Sequence, residues 1–74
     1  MEFAKIIKNT RQRVFLSQEE FATIIGTSVS TINRWENGKC KPSLKTMKVI
    51  KDFCKKNKVD YTKLESAWLE DDTL

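Results

Sequence analysis

Histidine is missing from the 74 residues, proline occurs once, and glycine and cysteine occur twice each. Without histidine the chain lacks the commonest general base and the usual nitrogen ligand of zinc. Cys40 and Cys54 are too few for a disulfide framework, and neither has an activating partner in the sequence around it. Reduced thiols are expected, serving neither as nucleophile nor as metal ligand. Glu19 and Glu20 are adjacent, so on a helix they diverge instead of converging on one substrate. With no catalytic constellation left, neither an enzyme nor a metal or cofactor is expected. No apolar run approaches the ~20 residues that cross a bilayer, and the opening stretch from Met1 to Lys8 lacks the apolar core and cleavage site of a secretory signal. A cytoplasmic location with no membrane partner is expected.

What is present is ordinary for a soluble globular chain, with 39% apolar and 32% charged residues. A chain of 74 residues allows one domain, expected to take in all of 1–74, with a core that supplies only about 3–5 kcal/mol of net stability. That leaves no room for an effector-binding unit, so no small-molecule effector is expected. The net charge of +4 hides an asymmetry. Residues 1–27 carry 4 basic and 3 acidic side chains, residues 28–58 carry 9 and 2, and residues 59–74 carry 1 and 5. The middle therefore stands at +7 and the end at −4, which suggests one face for a polyanion and another kept away from it. The acidic run Glu70-Asp71-Asp72 marks a tail over about 70–74.

Apolar residues recur at helical, not strand, spacing throughout. Phe3, Ile7, Thr10/Arg11 and Val14, with Ile6 beside them, predict a first helix over about 2–14, and Phe15-Leu16 links it onward. Ser17 followed three positions later by Glu20 is a capping box, opening a second helix that carries Phe21, Ala22 and Ile25 and stops at Gly26. Ser28 caps a third, through Val29, Ile32 and Trp35 to Asn37, with Gly38 as terminator. Pro42-Ser43 starts a fourth with the stripe Leu44, Met47, Ile50 and Cys54, flanked by Val49 and Phe53. Asp60 caps a fifth, to which Tyr61, Leu64, Ala67 and Trp68 bring apolar contacts.

Two short helices joined by a glycine-containing turn form a helix-turn-helix, here at about 17–38. Its close helix contact needs a small residue, and Ala22 is that residue; its turn needs Gly26. Ile32 and Trp35 point inward, leaving Val29, Ser30, Asn33 and Arg34 to face outward. The opening Leu-Ser-Gln at 16–18, the Ala22-to-Gly26 spacing and the closing Trp-Glu-Asn-Gly-Lys-x-x-Pro-Ser at 35–43 together resemble the Cro/lambda-repressor type (xenobiotic response element, XRE) helix-turn-helix family. The resemblance implies an all-α, five-helix lambda-repressor-like DNA-binding domain over about residues 2–70. It implies base reading by Val29, Ser30 and Arg34, with Asn33 second to them. It places phosphate contacts on Gln18, Ser28, Asn37 and Lys39, with Lys41 and Lys45 nearby, and pairs Arg11 with Glu36. One departure stands out. Val29 sits where the family usually has a polar or basic side chain, and valine can only touch a thymine methyl.

The resulting expectation is a sequence-specific transcriptional regulator, a repressor, that inserts helix three (about 29–37) into the major groove of double-stranded DNA. One short helix reads few base pairs, so a homodimer on an inverted-repeat operator is expected, paired through the last helix around Tyr61, Leu64 and Trp68. The alternative is a protein-interaction module, an antitoxin or adaptor, that uses the same fold to hold a partner.

Overall fold

The computed structural model describes residues 2–70, and all regular structure among them is helical. The helices are α1 (Glu2–Arg13), α2 (Gln18–Ile25), α3 (Val29–Glu36), α4 (Leu44–Lys56) and α5 (Thr62–Glu70). The five-helix all-α expectation holds. The rest of the expected acidic tail, 71–74, lies outside the described residues.

Serine hydroxyls open three of the helices. Ser17 Oγ accepts the Glu20 N–H at 3.0 Å while the Glu20 carboxylate accepts the Ser17 N–H at 2.9 Å, a complete capping box. Ser28 Oγ accepts from the Thr31 N–H at 3.2 Å and Ser43 Oγ from the Thr46 N–H at 3.3 Å. Each satisfies a backbone donor the helix cannot, stabilising by about 1 kcal/mol. At α5, Asp60 Oδ1 accepts the Thr62 N–H at 2.9 Å. That backbone bond, with one to the Thr62 side chain, holds the Asp60 carboxyl below its ordinary value.

Four helices end by one device, a 6→1 hydrogen bond over a left-handed residue. The bonds run from the N–H of Leu16 to the Arg11 carbonyl (3.3 Å), Thr27 to Ala22 (2.9 Å), Lys39 to Arg34 (2.9 Å) and Val59 to Cys54 (2.8 Å). The left-handed residues are Phe15 (φ 59°), Gly26 (86°), Gly38 (74°) and Lys58 (55°). Gly26 and Gly38 sit where the sequence analysis ends helices. Phe15 and Lys58 adopt the same conformation without glycine's freedom, at a cost of about 1–2 kcal/mol each.

The core joins all five helices: Phe3 and Ile7 of α1, Phe21, Ala22 and Ile25 of α2, Ile32 and Trp35 of α3, Met47, Ile50, Phe53 and Cys54 of α4, and Leu64 and Ala67 of α5. Phe21 and Phe53 meet edge to face with ring centroids 5.5 Å apart, a geometry that adds to their burial because the positive edge of one ring meets the negative face of the other. Burial pushes the Cys54 thiol up, away from the reactive thiolate. Helix α3 packs against both α1 and α2, while α5 lies on α1 and α4 on α2. The recognition-type helix is thus backed from two sides.

Two expectations are corrected. Leu44 is 61% exposed, so the buried stripe of α4 begins at Met47, and Val49, expected beside the stripe, is 40% exposed. Leu44 is the first residue of its helix, where the stripe runs past the end of the core. Leu64, expected at a pairing surface, is 1% exposed and entirely committed to the core. Boundaries also tighten, with α1 closing at Arg13 and α3 at Glu36.

Candidate nucleic-acid interface

The site begins with a buried ion pair that fixes α3. Arg11 Nε donates to Glu36 Oε2 at 2.7 Å and Arg11 Nη2 to Glu36 Oε1 at 3.0 Å, a two-pronged pairing of planar groups. The two side chains are only 11% and 4% exposed. The hydrogen bond to Glu36 raises the Arg11 pKa further above its already high value, against the opposing effect of burial. Arg11 Nη1 reaches on to the Leu16 carbonyl at 2.8 Å, and Gln18 Nε2 donates to Glu36 Oε1 at 3.0 Å. One carboxylate at the end of α3 therefore ties together α1 and the start of α2, and Arg11 extends the tie to the α1–α2 link. The Arg11–Glu36 pairing follows the resemblance; the Gln18 bond was not foreseen, because no helical periodicity connects positions 18 and 36.

With Ile32 and Trp35 buried, Val29, Ser30, Asn33 and Arg34 all stand exposed on the opposite face of α3. The Asn37 amide donates to the Asn33 carbonyl at 2.8 Å and to Asn33 Oδ1 at 3.0 Å. That holds the Asn33 amide with its oxygen toward the helix end and its NH₂ turned away. Ser28 Oγ and Thr31 Oγ share a hydrogen bond at 2.9 Å beside the N-terminus of α3.

The phosphate candidates divide. Ser28, Asn37, Lys39 and Lys45 are exposed, whereas Gln18 and Lys41 are half-buried. Gln18 gives one amide proton to Glu36 and keeps a second. Lys41 Nζ donates to the Trp68 carbonyl at 2.8 Å and lies 5.1 Å from the centre of the Trp68 ring. It caps the last helix, a use that sequence spacing over 27 positions could not reveal. The Trp68 indole in turn donates to the Pro42 carbonyl at 2.7 Å, fastening α5 to the segment after α3.

The helix-turn-helix family model matches residues 4–59, from within α1 to just past α4. The chain belongs to the XRE-type helix-turn-helix family. The matched segment contains every candidate contact residue, and α5 lies beyond it. Over 53 residues the chain is also 42% identical to the Type II methyltransferase M.SsoII of Shigella sonnei. That stretch is 68% of this chain but 14% of the methyltransferase, so the likeness extends to a small part of that enzyme. No solved structure matches the chain. No helix among the described residues is long and apolar enough to cross a membrane.

Proposed function

We propose that this helix-turn-helix domain is a sequence-specific transcriptional regulator, a repressor that occludes a promoter from the cytoplasm, with α3 laid in the major groove. The observation that carries the reading is a helix pinned along its inner side by Ile32, Trp35 and the Arg11–Glu36 pair, with four side chains left bare on its outer side. An α-helix with its side chains is about 10–12 Å across, a fit to a major groove about 12 Å wide, and the eight residues of α3 bring its outer face to the bases over about 12 Å of length. Arg34 takes a guanine edge, Asn33 and Ser30 offer single hydrogen bonds, and Val29 packs on a thymine methyl. Ser28, Asn37, Lys39, Lys45 and the second Gln18 amide proton hold phosphates and set the register. Lys41, engaged on Trp68, contributes least. The reading assigns the chain no catalysis, cofactor or effector, and it takes over no methyl-transfer chemistry from the partial relative.

Two copies bind an inverted repeat. Of the surface expected to pair them, Leu64 is core and the Trp68 indole is spent on Pro42. The pairing contact centres on Leu44 and Leu69, 61% and 69% exposed, which line one groove between α4 and α5 together with Tyr61, Trp68, Lys48, Lys51 and Glu65. Selection of bound duplexes from a random library tests the reading. The expected result is one half-site motif repeated with two-fold symmetry, bound against competitor DNA at both low and moderate salt with two proteins per site by ultracentrifugation. Weak attachment erased by salt, with no motif enriched, overturns it in favour of a partner-binding module.

A further inference from the structure

Phe15 combines a left-handed backbone, set by the closing turn of α1, with a bare ring that neither that turn nor the core requires. Its backbone is left-handed at φ 59°, a conformation in which a bulky side chain is an outlier and glycine is the natural occupant. Its side chain is 92% exposed, so the ring returns nothing to the core. Lys58 shares the conformation, but a lysine there keeps its charge in water, as lysines do anywhere on a surface. A strained position bearing a large, bare aromatic ring is what a contact residue looks like before its partner arrives.

Position identifies the partner. Leu16, the next residue, gives its carbonyl to Arg11, and Gln18, three residues on, is bonded to Glu36 at the end of α3. Phe15 thus belongs to the short segment that is bolted to the recognition helix and opens α2, the helix that crosses the DNA backbone in this arrangement. Exposed Arg13 stands two residues before it. The apolar surface fit for a second copy, around Leu44 and Leu69, is a separate one on α4 and α5. We propose that Phe15 is a DNA-contact residue, its ring seated on the deoxyribose faces of the backbone at the edge of the groove that α3 enters. The inference rests on the DNA-binding reading above.

An apolar contact of this kind releases no counterions and reads no base edge, which gives it a signature distinct from both lysine clamps and readers. The test uses the full chain and the duplex selected for it. Phe15→Gly is expected to raise the melting temperature by about 4–8 °C by removing the left-handed strain. The same change is expected to weaken binding about 5–10-fold, the effect of losing a partly buried aromatic contact. Salt slope and base preference stay as in the parent. Phe15→Asn, which also tolerates the left-handed conformation, gives the same pattern. A photo-crosslinking phenylalanine analogue at position 15 labels DNA. Parent-like affinity in both variants, or crosslinking to a second protein copy instead of DNA, overturns the proposal. If the parent itself selects no duplex, the DNA-binding reading has failed, and this contact fails with it.

Discussion

The helix-turn-helix half of the molecule and the α4–α5 half are held together by different means. In the first, serine caps and two left-handed glycines set the ends of α2 and α3 within a few residues of where they are specified, and the Arg11–Glu36–Gln18 cluster ties those helices to α1. In the second, glycine is absent. Helix α4 ends over the left-handed Lys58, and the end of α5 is held from a distance by the Lys41 ammonium and the Pro42 carbonyl. The half that presents α3 places a glycine at the left-handed end of both α2 and α3 and confines its strain to Phe15, ahead of α2. The half that supports it closes α4 without a glycine and leaves Leu44 and Leu69 uncovered.

The largest test of this contrast is Arg11→Ala. It strands the Glu36 carboxylate at 4% exposure with only the Gln18 amide for a partner, at a cost of about 3–5 kcal/mol. That matches the whole net stability of about 3–5 kcal/mol expected of so small a core, so the variant is expected to be largely unfolded at room temperature by circular dichroism. A melting curve close to the parent's means the cluster does not anchor α3.

Gly26→Val comes next. A Cβ at position 26 meets nothing within 4 Å, so there is no clash, and the penalty arises from forcing a β-branched residue to φ 86°. A loss of about 1–3 kcal/mol is expected in denaturant titrations. Ala22→Leu fails for a different reason, overpacking at a site 4% exposed, with a similar loss of about 1–3 kcal/mol. In the other half the sign reverses. Lys58→Gly removes strain and is expected to stabilise by about 1 kcal/mol, seen as a rise of about 4–8 °C in melting temperature. An unchanged or lower melting point there would show that the α4 end carries no strain.

The smallest effect concerns Asp60. Its folded pKa is depressed by the bonds to Thr62, so its contribution is present above the unfolded value of about 3.9 and is lost as pH falls through the lower folded value. Asp60→Asn should flatten the acid limb of a melting-temperature profile below about pH 4 and leave the neutral plateau nearly unchanged. A variant whose acid limb matches the parent's removes Asp60 from the account.

The same contrast explains what the sequence reveals. Ser17 with Glu20, Ser28, Gly26 and Gly38 are local signals, each read within four residues of its effect, and the structure puts helix ends at all of them. Ile32 and Trp35 follow from helical spacing alone. Leu44 obeys the same spacing yet is exposed, because periodicity describes a face and not how far along it the core extends. Lys41 on Trp68 and Gln18 on Glu36 join positions 27 and 18 residues apart, and nothing local encodes them. At Phe15 the local signal is silent, because no glycine follows α1 although the chain turns there as it does at Gly26.

The central claim, that α3 reads bases while its flanks grip phosphate, is tested most directly by Arg34→Ala and Lys39→Ala on a selected operator mutated one base pair at a time. Loss of Arg34 should cost about 1–3 kcal/mol and relax preference at one position of each half-site. Loss of Lys39 should weaken binding to every sequence alike and flatten the salt dependence by about one. Identical changes in the two binding profiles would contradict the division between reader and clamp.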